Sequence, residues 1–251
     1  MTGELAAAYK SGSQRARVVT ESWGEGNLYC PNCSSPKLSR LQNNTKASDY
    51  SCPACGFWYQ LKGQQSRIGE RINDGAYAAM MEAIRHDETP NFYFMQYELV
   101  TWRVKNLLLI PSFAFPPSAI IKRKPLASTA RRAGWIGCNI ALSRIPVEAQ
   151  IGVVTESKVA PETEVREKFR RVKPLGEITA KERGWTLDVL RVVQSLGKNE
   201  FRTSDMYEFE RHFEELHPDN RHVRDKIRQQ LQVLRDRGFL AQVERGVWAL
   251  K

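Results

Sequence analysis

Asp49, Cys52, Cys55, Gln60 and Lys62 all fall within one short stretch, DYSCPACGFWYQLK, residues 49–62. Two chemistries overlap there. Cys52 and Cys55 form a CxxC pair that completes an earlier CPNC at Cys30 and Cys33. The whole pattern, C-x2-C-x18-C-x2-C, lies in the spacing range of a four-thiolate zinc site, where each pair supplies two sulfurs from one tight turn. Such a site is closed to substrate. Its Zn2+ is therefore expected to be structural, stapling the loop 34–51. The second chemistry needs oxygen and nitrogen ligands. FWYQLK has the aromatic content and alternation of a strand, which puts Gln60 and Lys62 on one face. The CxxC knuckle turns the chain back and is expected to set Asp49 beside them. Oxygens from Asp49 and Gln60 suit a hard cation such as Mg2+. Lys62 would orient a water or offset charge on a scissile phosphate. That is the constellation of a metal-dependent phosphodiesterase.

The elements that must hold these residues follow from patterning. LAAAYKSGSQRARVVTESWG (5–24) reads as a helix, a basic polar turn and a second helical segment. Glu21 and Trp23 within it read first as a surface acid and a core indole; the sharper reading makes Glu21 a further acid near the metal. A helical pattern runs from Asp74 to Arg85, with Asn73 as N-cap and Tyr77, Met80, Met81 and Ile84 on its apolar side. His86 reads as a solvated cation at its C-terminal end. NFYFMQYELV (91–100), NLLLI (106–110) and AQIGVV (149–154) read as strands, the second central. Strands flanked by helices imply an α/β core with a mixed sheet. The fifth cysteine, Cys138, reads as a small buried apolar residue.

Between the second and third strands, 120–140 concentrates Lys122, Arg123, Lys124, Arg131 and Arg132, followed by Trp135 between Gly134 and Gly137. Basic side chains suit phosphates, and a tryptophan among small residues suits base edges or stacked bases, so this stretch is expected to touch DNA. Residues 155–184 are charged and carry Pro161, Pro174 and Gly176, which reads as a linker with one short helix. The last seventy residues change character. Helical patterns cover 185–197, 203–218 and 221–238, with Thr203 or Ser204 as N-cap of the second, and FLAQVERGVWAL closes as a hairpin. Three helices and a terminal hairpin are the layout of a winged helix. Its third helix carries an apolar stripe of Val223, Ile227, Leu231 and Leu234. Arg221, Asp225, Arg228, Gln229 and Gln232 stand opposite, where Arg can read guanine and Gln adenine in a major groove, and Arg224 joins Arg221, Arg228, Gln229 and Gln232 as an expected DNA contact.

The bulk properties agree. A net charge of +10 over 251 residues suggests a nucleic-acid partner, and 41% hydrophobic content supports a packed core. No apolar run reaches membrane-spanning length, and the N-terminus lacks a signal-peptide core. Five cysteines, four of them in paired CxxC motifs, point to metal and a reducing, intracellular setting rather than to disulfides.

CPNC…CPAC, INDGAYAAMM, KPLASTARRAGWIGCNI and RQQLQVLRD together resemble the DpnI family of methyl-directed restriction endonucleases, in order and over nearly the whole chain. The resemblance implies a PD-(D/E)xK nuclease domain with a structural zinc site over 1–180, ending in the linker. It implies a winged-helix DNA-binding domain over 181–251. Both would recognise double-stranded DNA carrying N6-methyladenine, in GATC. Further implications are a prokaryotic cytoplasm, no membrane and no required protein partner. Asp49, Gln60 and Lys62 match the family's magnesium-binding acid and its ExK motif, and Trp135 matches the tryptophan set against the adenine methyls. The departure is Gln60, where the family has a glutamate. Some related nucleases, the Mrr-like ones, resemble natural QxK enzymes, since an amide carbonyl still ligates a hard cation. The site loses one negative charge, which leaves open an active QxK nuclease, a reader of methylated DNA that no longer cuts, and a variant that traps substrate. A zinc-ribbon transcription factor is the remaining rival; it predicts no role for Lys62.

Overall fold

The computed structural model describes residues 1, 7–42 and 48–251, grouped in two compact units. The first comprises residues 1–72, 86–113 and 148–173. Its centre is a mixed seven-stranded sheet in the order β1 (Ser39–Arg40), β2 (Tyr50–Ser51), β3 (Trp58–Gln64), β5 (Asn91–Tyr97), β6 (Val104–Ile110), β9 (Ile151–Thr155), β10 (Lys158–Val159). β3 and β5 run parallel; the other neighbours are antiparallel. The FWYQLK and NFYFMQY runs supply β3 and β5, and every residue of β5 is buried. Phe92 and Phe94 stack with ring centroids 5.4 Å apart.

Helix α1 (Gly12–Asn27) packs on β3. Close approach is possible because Gly63 lacks a side chain: a Cβ there would sit 3.0 Å from Thr20 Cγ2. Gly24 serves the same purpose one turn on, since its missing Cβ leaves room for the Tyr50 ring. The helix expected ahead of Lys10 falls partly outside the described residues, and Ala7–Lys10 is turn and irregular backbone. Glu21 is 8% exposed, which corrects its reading as a surface acid, and Trp23 is half-buried rather than in the core.

The charged stretch after β10 differs most from expectation. It holds an eleven-residue helix, α3 (Glu162–Val172), whose Val165, Phe169 and Val172 are fully buried. Phe169 packs its ring edge-on to Phe113, 5.8 Å between centroids, and against Phe57 at 6.4 Å. Three apolar residues at helical spacing, in a segment otherwise solvated, turn a supposed linker into part of the core.

The second unit comprises 73–85, 114–147 and 174–251. A three-stranded sheet runs β4 (Arg71–Ala76), β8 (Gly137–Ala141), β7 (Ile120–Lys122), and α2 (Tyr77–Arg85) follows β4 directly. Asn73 is therefore a strand residue and not an N-cap. The helix starts at Tyr77 and buries Met80 and Ile84. Cys138 is fully buried, as expected.

The rest of this unit is α4 (Ala180–Ser195), β11 (Glu200–Arg202), α5 (Thr203–Tyr207), α6 (Glu210–Leu216), α7 (Val223–Asp236) and the hairpin β12 (Leu240–Glu244), β13 (Val247–Leu250). β11 pairs with β13, closing the small sheet β11-β13-β12 of a winged helix. The expected second helix is broken at Tyr207–Glu210 into α5 and α6. Its first cap is Arg202, whose N–H is accepted by Asp205 at 3.0 Å, rather than Thr203 or Ser204. α7 buries Val223, Ile227, Leu231 and Leu234, and also Gln230, whose Oε1 accepts from the Thr186 hydroxyl at 2.6 Å. Gly246, at φ +78°, makes the tight turn of the wing. Among the described residues no helix is long and apolar enough to cross a membrane.

Candidate active site and metal centre

β2 pairs antiparallel with β3, Tyr50 opposite Tyr59, and Asp49 directly precedes that pair. The pairing is pinned twice. The Asp49 N–H donates to Tyr59 O at 2.9 Å, and the Leu61 N–H donates to Asp49 Oδ2 at 2.8 Å. A carboxylate held by a strand amide has little rotamer freedom left. Burial raises the Asp49 carboxyl above the ordinary range and the charge of Glu21 adds to that; the Leu61 N–H, Lys62 and Arg17 pull it back. Asp49, Lys62, Glu21 and Arg17 thus share one electrostatic neighbourhood. Gln60 and Lys62 are half-buried, and the Lys62 ammonium lies 5.7 Å from the Phe92 ring centroid.

Glu21 reaches this neighbourhood from α1. Its two oxygens accept from Arg17 Nε and from Arg40 Nη2, each at 2.5 Å, and its backbone carbonyl accepts from the buried Tyr50 hydroxyl at 2.7 Å. Sequence alone offers the Arg17–Glu21 pair as an ordinary i,i+4 surface couple. The Arg40 partner comes from a different strand. The available signal was Gly24 three residues on, which marks this face of the helix as one of close approach.

Near Asp49 the four cysteines converge. Their sulfurs all lie within 4.8 Å of one another, with Cys30–Cys55 and Cys33–Cys52 each at 3.5 Å. Zinc–sulfur bonds of ~2.3 Å imply tetrahedron edges of about 3.8 Å, so the cluster has the size and chemistry to hold a zinc ion. For Cys52, burial acts upward, but N–H groups of Cys55 and Ala54 and the thiols of Cys33 and Cys55 outweigh it, bringing the thiol down to about 6. Burial drives Cys30 the other way. A thiolate is what a metal needs, and Cys52 is pre-set to supply one. Cys30 is also gripped from outside: its carbonyl accepts from Arg166 Nε at 3.2 Å, and its sulfur meets the Tyr59 hydroxyl at 3.1 Å.

In the second unit the basic stretch is the loop of the β7–β8 hairpin. Lys122, Arg123, Lys124, Arg131 and Arg132 are all exposed. The loop is ordered by its own bonds: Leu126 N–H to Trp135 O at 2.9 Å and Gly134 N–H to Leu126 O at 3.0 Å. Trp135 is half-buried. The Arg132 guanidinium lies 4.7 Å from its ring centroid, and a Cβ at Gly137 would meet the indole at 2.8 Å. Gly137 therefore makes the space in which that ring sits.

On α7 the exposed face carries Arg224, Arg228, Gln229 and Gln232. Arg221 is exposed too but precedes the helix, so it is not on that face. Arg224 stacks over Tyr207, 5.1 Å to the centroid, and donates to Glu210 at 2.8 Å. Arg228 donates to the Tyr207 hydroxyl at 3.2 Å and pairs with Asp225. Tyr207, missed from sequence, is the platform for both arginines.

Comparison with known families matches both parts of this description. Residues 1–178 match DpnI, the Dam-replacing family, and residues 181–249 match the Dam-replacing helix-turn-helix domain, DpnI_C. The first match alone spans more than half the chain. The protein belongs to the DpnI, or Dam-replacing, family, whose members are methyl-directed DNA endonucleases and readers with a DNA-binding winged helix.

Proposed function

We propose that this chain is a magnesium-dependent endonuclease that cleaves double-stranded DNA containing N6-methyladenine, in the GATC context. Residues 1–180 would form the nuclease part and 181–251 the winged-helix reader. The observation that carries the reading is the seat of Asp49: a half-buried carboxylate fixed by the amide of Leu61, which lies between Gln60 and Lys62 on β3, and under the charge of Lys62. Asp49 and the Gln60 carbonyl would hold the ion, with the Glu21 carboxylate supplying the negative charge that an amide at position 60 lacks. Bound there, magnesium supplies a Lewis acid for the phosphate and a more acidic water. Lys62 would offset charge on the scissile phosphate. Lys122, Arg123, Lys124, Arg131 and Arg132 would hold the backbone, and Trp135 would lie against the methyl-bearing base. Arg224, Arg228, Gln229 and Gln232 would read the site again from α7, with Arg221 at a phosphate. A buried methyl contributes only about 0.8 kcal/mol, so reading it at two positions or with two domains multiplies a weak discrimination. The cysteine cluster would hold structural zinc.

Incubation with methylated and unmethylated GATC plasmid, with Mg2+ or Mn2+, tests the reading. Cleavage confined to methylated plasmid and abolished by Lys62→Ala supports it. A second reading is favoured by Gln60 itself: a methyl-DNA reader whose nuclease site is silent. It predicts methyl-dependent binding without cleavage, and gain of cleavage in Gln60→Glu.

A further inference from the structure

Tyr59 touches both candidate centres of the first unit. It is fully buried, and its hydroxyl lies 3.1 Å from Cys30 Sγ. Its carbonyl accepts the Asp49 N–H at 2.9 Å. Its ring stacks on Tyr93 at 5.8 Å between centroids and 28° between planes, and the Tyr93 hydroxyl donates at 3.0 Å to the carbonyl of Tyr29, the residue before Cys30. We propose that the Tyr59 hydroxyl is a positioning group for the four-thiolate site, donating to the Cys30 sulfur and tying the metal-binding knuckle to the strand that seats Asp49.

The chemistry runs one way. A cysteine that ligates a metal is a thiolate and has no proton to give, so the phenol must be the donor. A donor on a ligand sulfur draws charge from it and fixes its orientation, the same service that outer partners give histidine ligands. The residue that does this to Cys30 also receives the amide of Asp49, so one side chain and its own peptide group join the two centres.

The inference rests on the cysteine cluster holding metal, and not on the nuclease activity. Tyr59→Phe keeps the ring stack and the peptide, and removes only the hydroxyl. In the full-length protein loaded with cobalt(II), loss of the donor raises the energy of the sulfur lone pairs, so the sulfur-to-cobalt charge-transfer band moves to longer wavelength. In the zinc-loaded protein, transfer of zinc to a chromogenic chelator is expected to quicken about 10-fold, the lower end of such outer-partner effects. Tyr93→Phe, whose hydroxyl meets a backbone carbonyl, leaves the band in place. An unmoved band with an unchanged release rate in Tyr59→Phe overturns the proposal. Should that variant fail to fold, cadmium-113 bound to the unaltered sequence provides the second test. A coupling between the ion and a slowly exchanging tyrosine hydroxyl proton is expected, and its absence overturns the proposal. A protein that takes up neither cobalt nor cadmium overturns the metal assignment as well, whatever the plasmid assay shows.

Discussion

If Glu21 replaces the charge missing at Gln60, then Glu21→Gln weakens magnesium binding and Gln60→Glu repairs it. The charge of Glu21 raises the Asp49 carboxyl, so the two groups interact electrostatically. At ~6 Å one unit charge is worth about 0.7 kcal/mol in bulk water and about 2.8 kcal/mol at an effective dielectric of about 20. The Glu21 side chain is only 10% exposed, so the effect belongs in the upper half of that range. The expected loss in magnesium affinity is then about 10- to 100-fold, read by titration calorimetry on the DNA complex or by cleavage rate against magnesium concentration. A fold effect accompanies it and must be measured separately. Arg17 and Arg40, 56% and 33% exposed at the side chain, lose a charged acceptor but keep water. Their hydrogen bonds are worth about 1–2 kcal/mol after screening, or roughly 2–8 °C in melting temperature for a chain of this size. The double variant Glu21→Gln/Gln60→Glu should recover most of the magnesium affinity and none of the melting temperature. An unchanged magnesium requirement in folded Glu21→Gln, or a loss that Gln60→Glu does not repair, refutes the compensation.

The cysteine cluster predicts about one zinc per chain, and Cys52→Ser should lose the metal and destabilise the first unit, seen together by metal analysis and circular dichroism. Asp49→Asn should abolish cleavage yet raise the melting temperature of the metal-free protein at pH 7. Burial lifts the folded carboxyl above its unfolded value, so its contribution is present at acid pH and lost as pH rises through the folded value. The gain should therefore shrink as pH falls towards the ordinary carboxylate range, and a gain constant with pH would contradict the assignment. Gly24→Ala puts a methyl 2.3 Å from the hydroxyl of fully buried Tyr50 and should cost about 1–3 kcal/mol in denaturant unfolding. Gly137→Ala displaces the Trp135 ring and should lower the preference for methylated over unmethylated duplex in a binding titration, while leaving the melting temperature of zinc-loaded protein within a few degrees.

Strongly periodic stretches were legible and boundaries between them were not. β3, β5 and the apolar stripe of α7 follow from apolar runs and heptad-like spacing, and the two CxxC pairs announce their convergence because their spacing is that of a four-thiolate site. INDGAYAAMM misled at its start: Asn73 is a good cap in isolation, but strand pairing beside β8 overrides a local preference worth about 1 kcal/mol. α3 was obscured by composition. Its three buried apolar residues, Val165, Phe169 and Val172, are diluted among glutamates, lysine and arginines, so the segment reads as solvated until Phe113 and Phe57 are seen to cover it.

Glu21 shows why pairwise sequence logic stops short at such a site. An acid four residues after an arginine on a helix is ordinary, and on that alone it belongs to solvent. What buries it is the sum of contacts no local window contains: Gly24 clearing space for Tyr50, the Tyr50 hydroxyl closing on the Glu21 carbonyl, and Arg40 arriving from β1. Burying a carboxylate under the influence of a second, half-buried one works against stability unless counter-charge is at hand. Here Arg17, Arg40 and Lys62 provide it in the resting protein. A cation bound between Asp49 and Gln60 would meet the same excess of negative charge more directly. The proposed site would therefore have negative charge in place for a positive ion, with the two arginines holding the Glu21 side chain by hydrogen bonds.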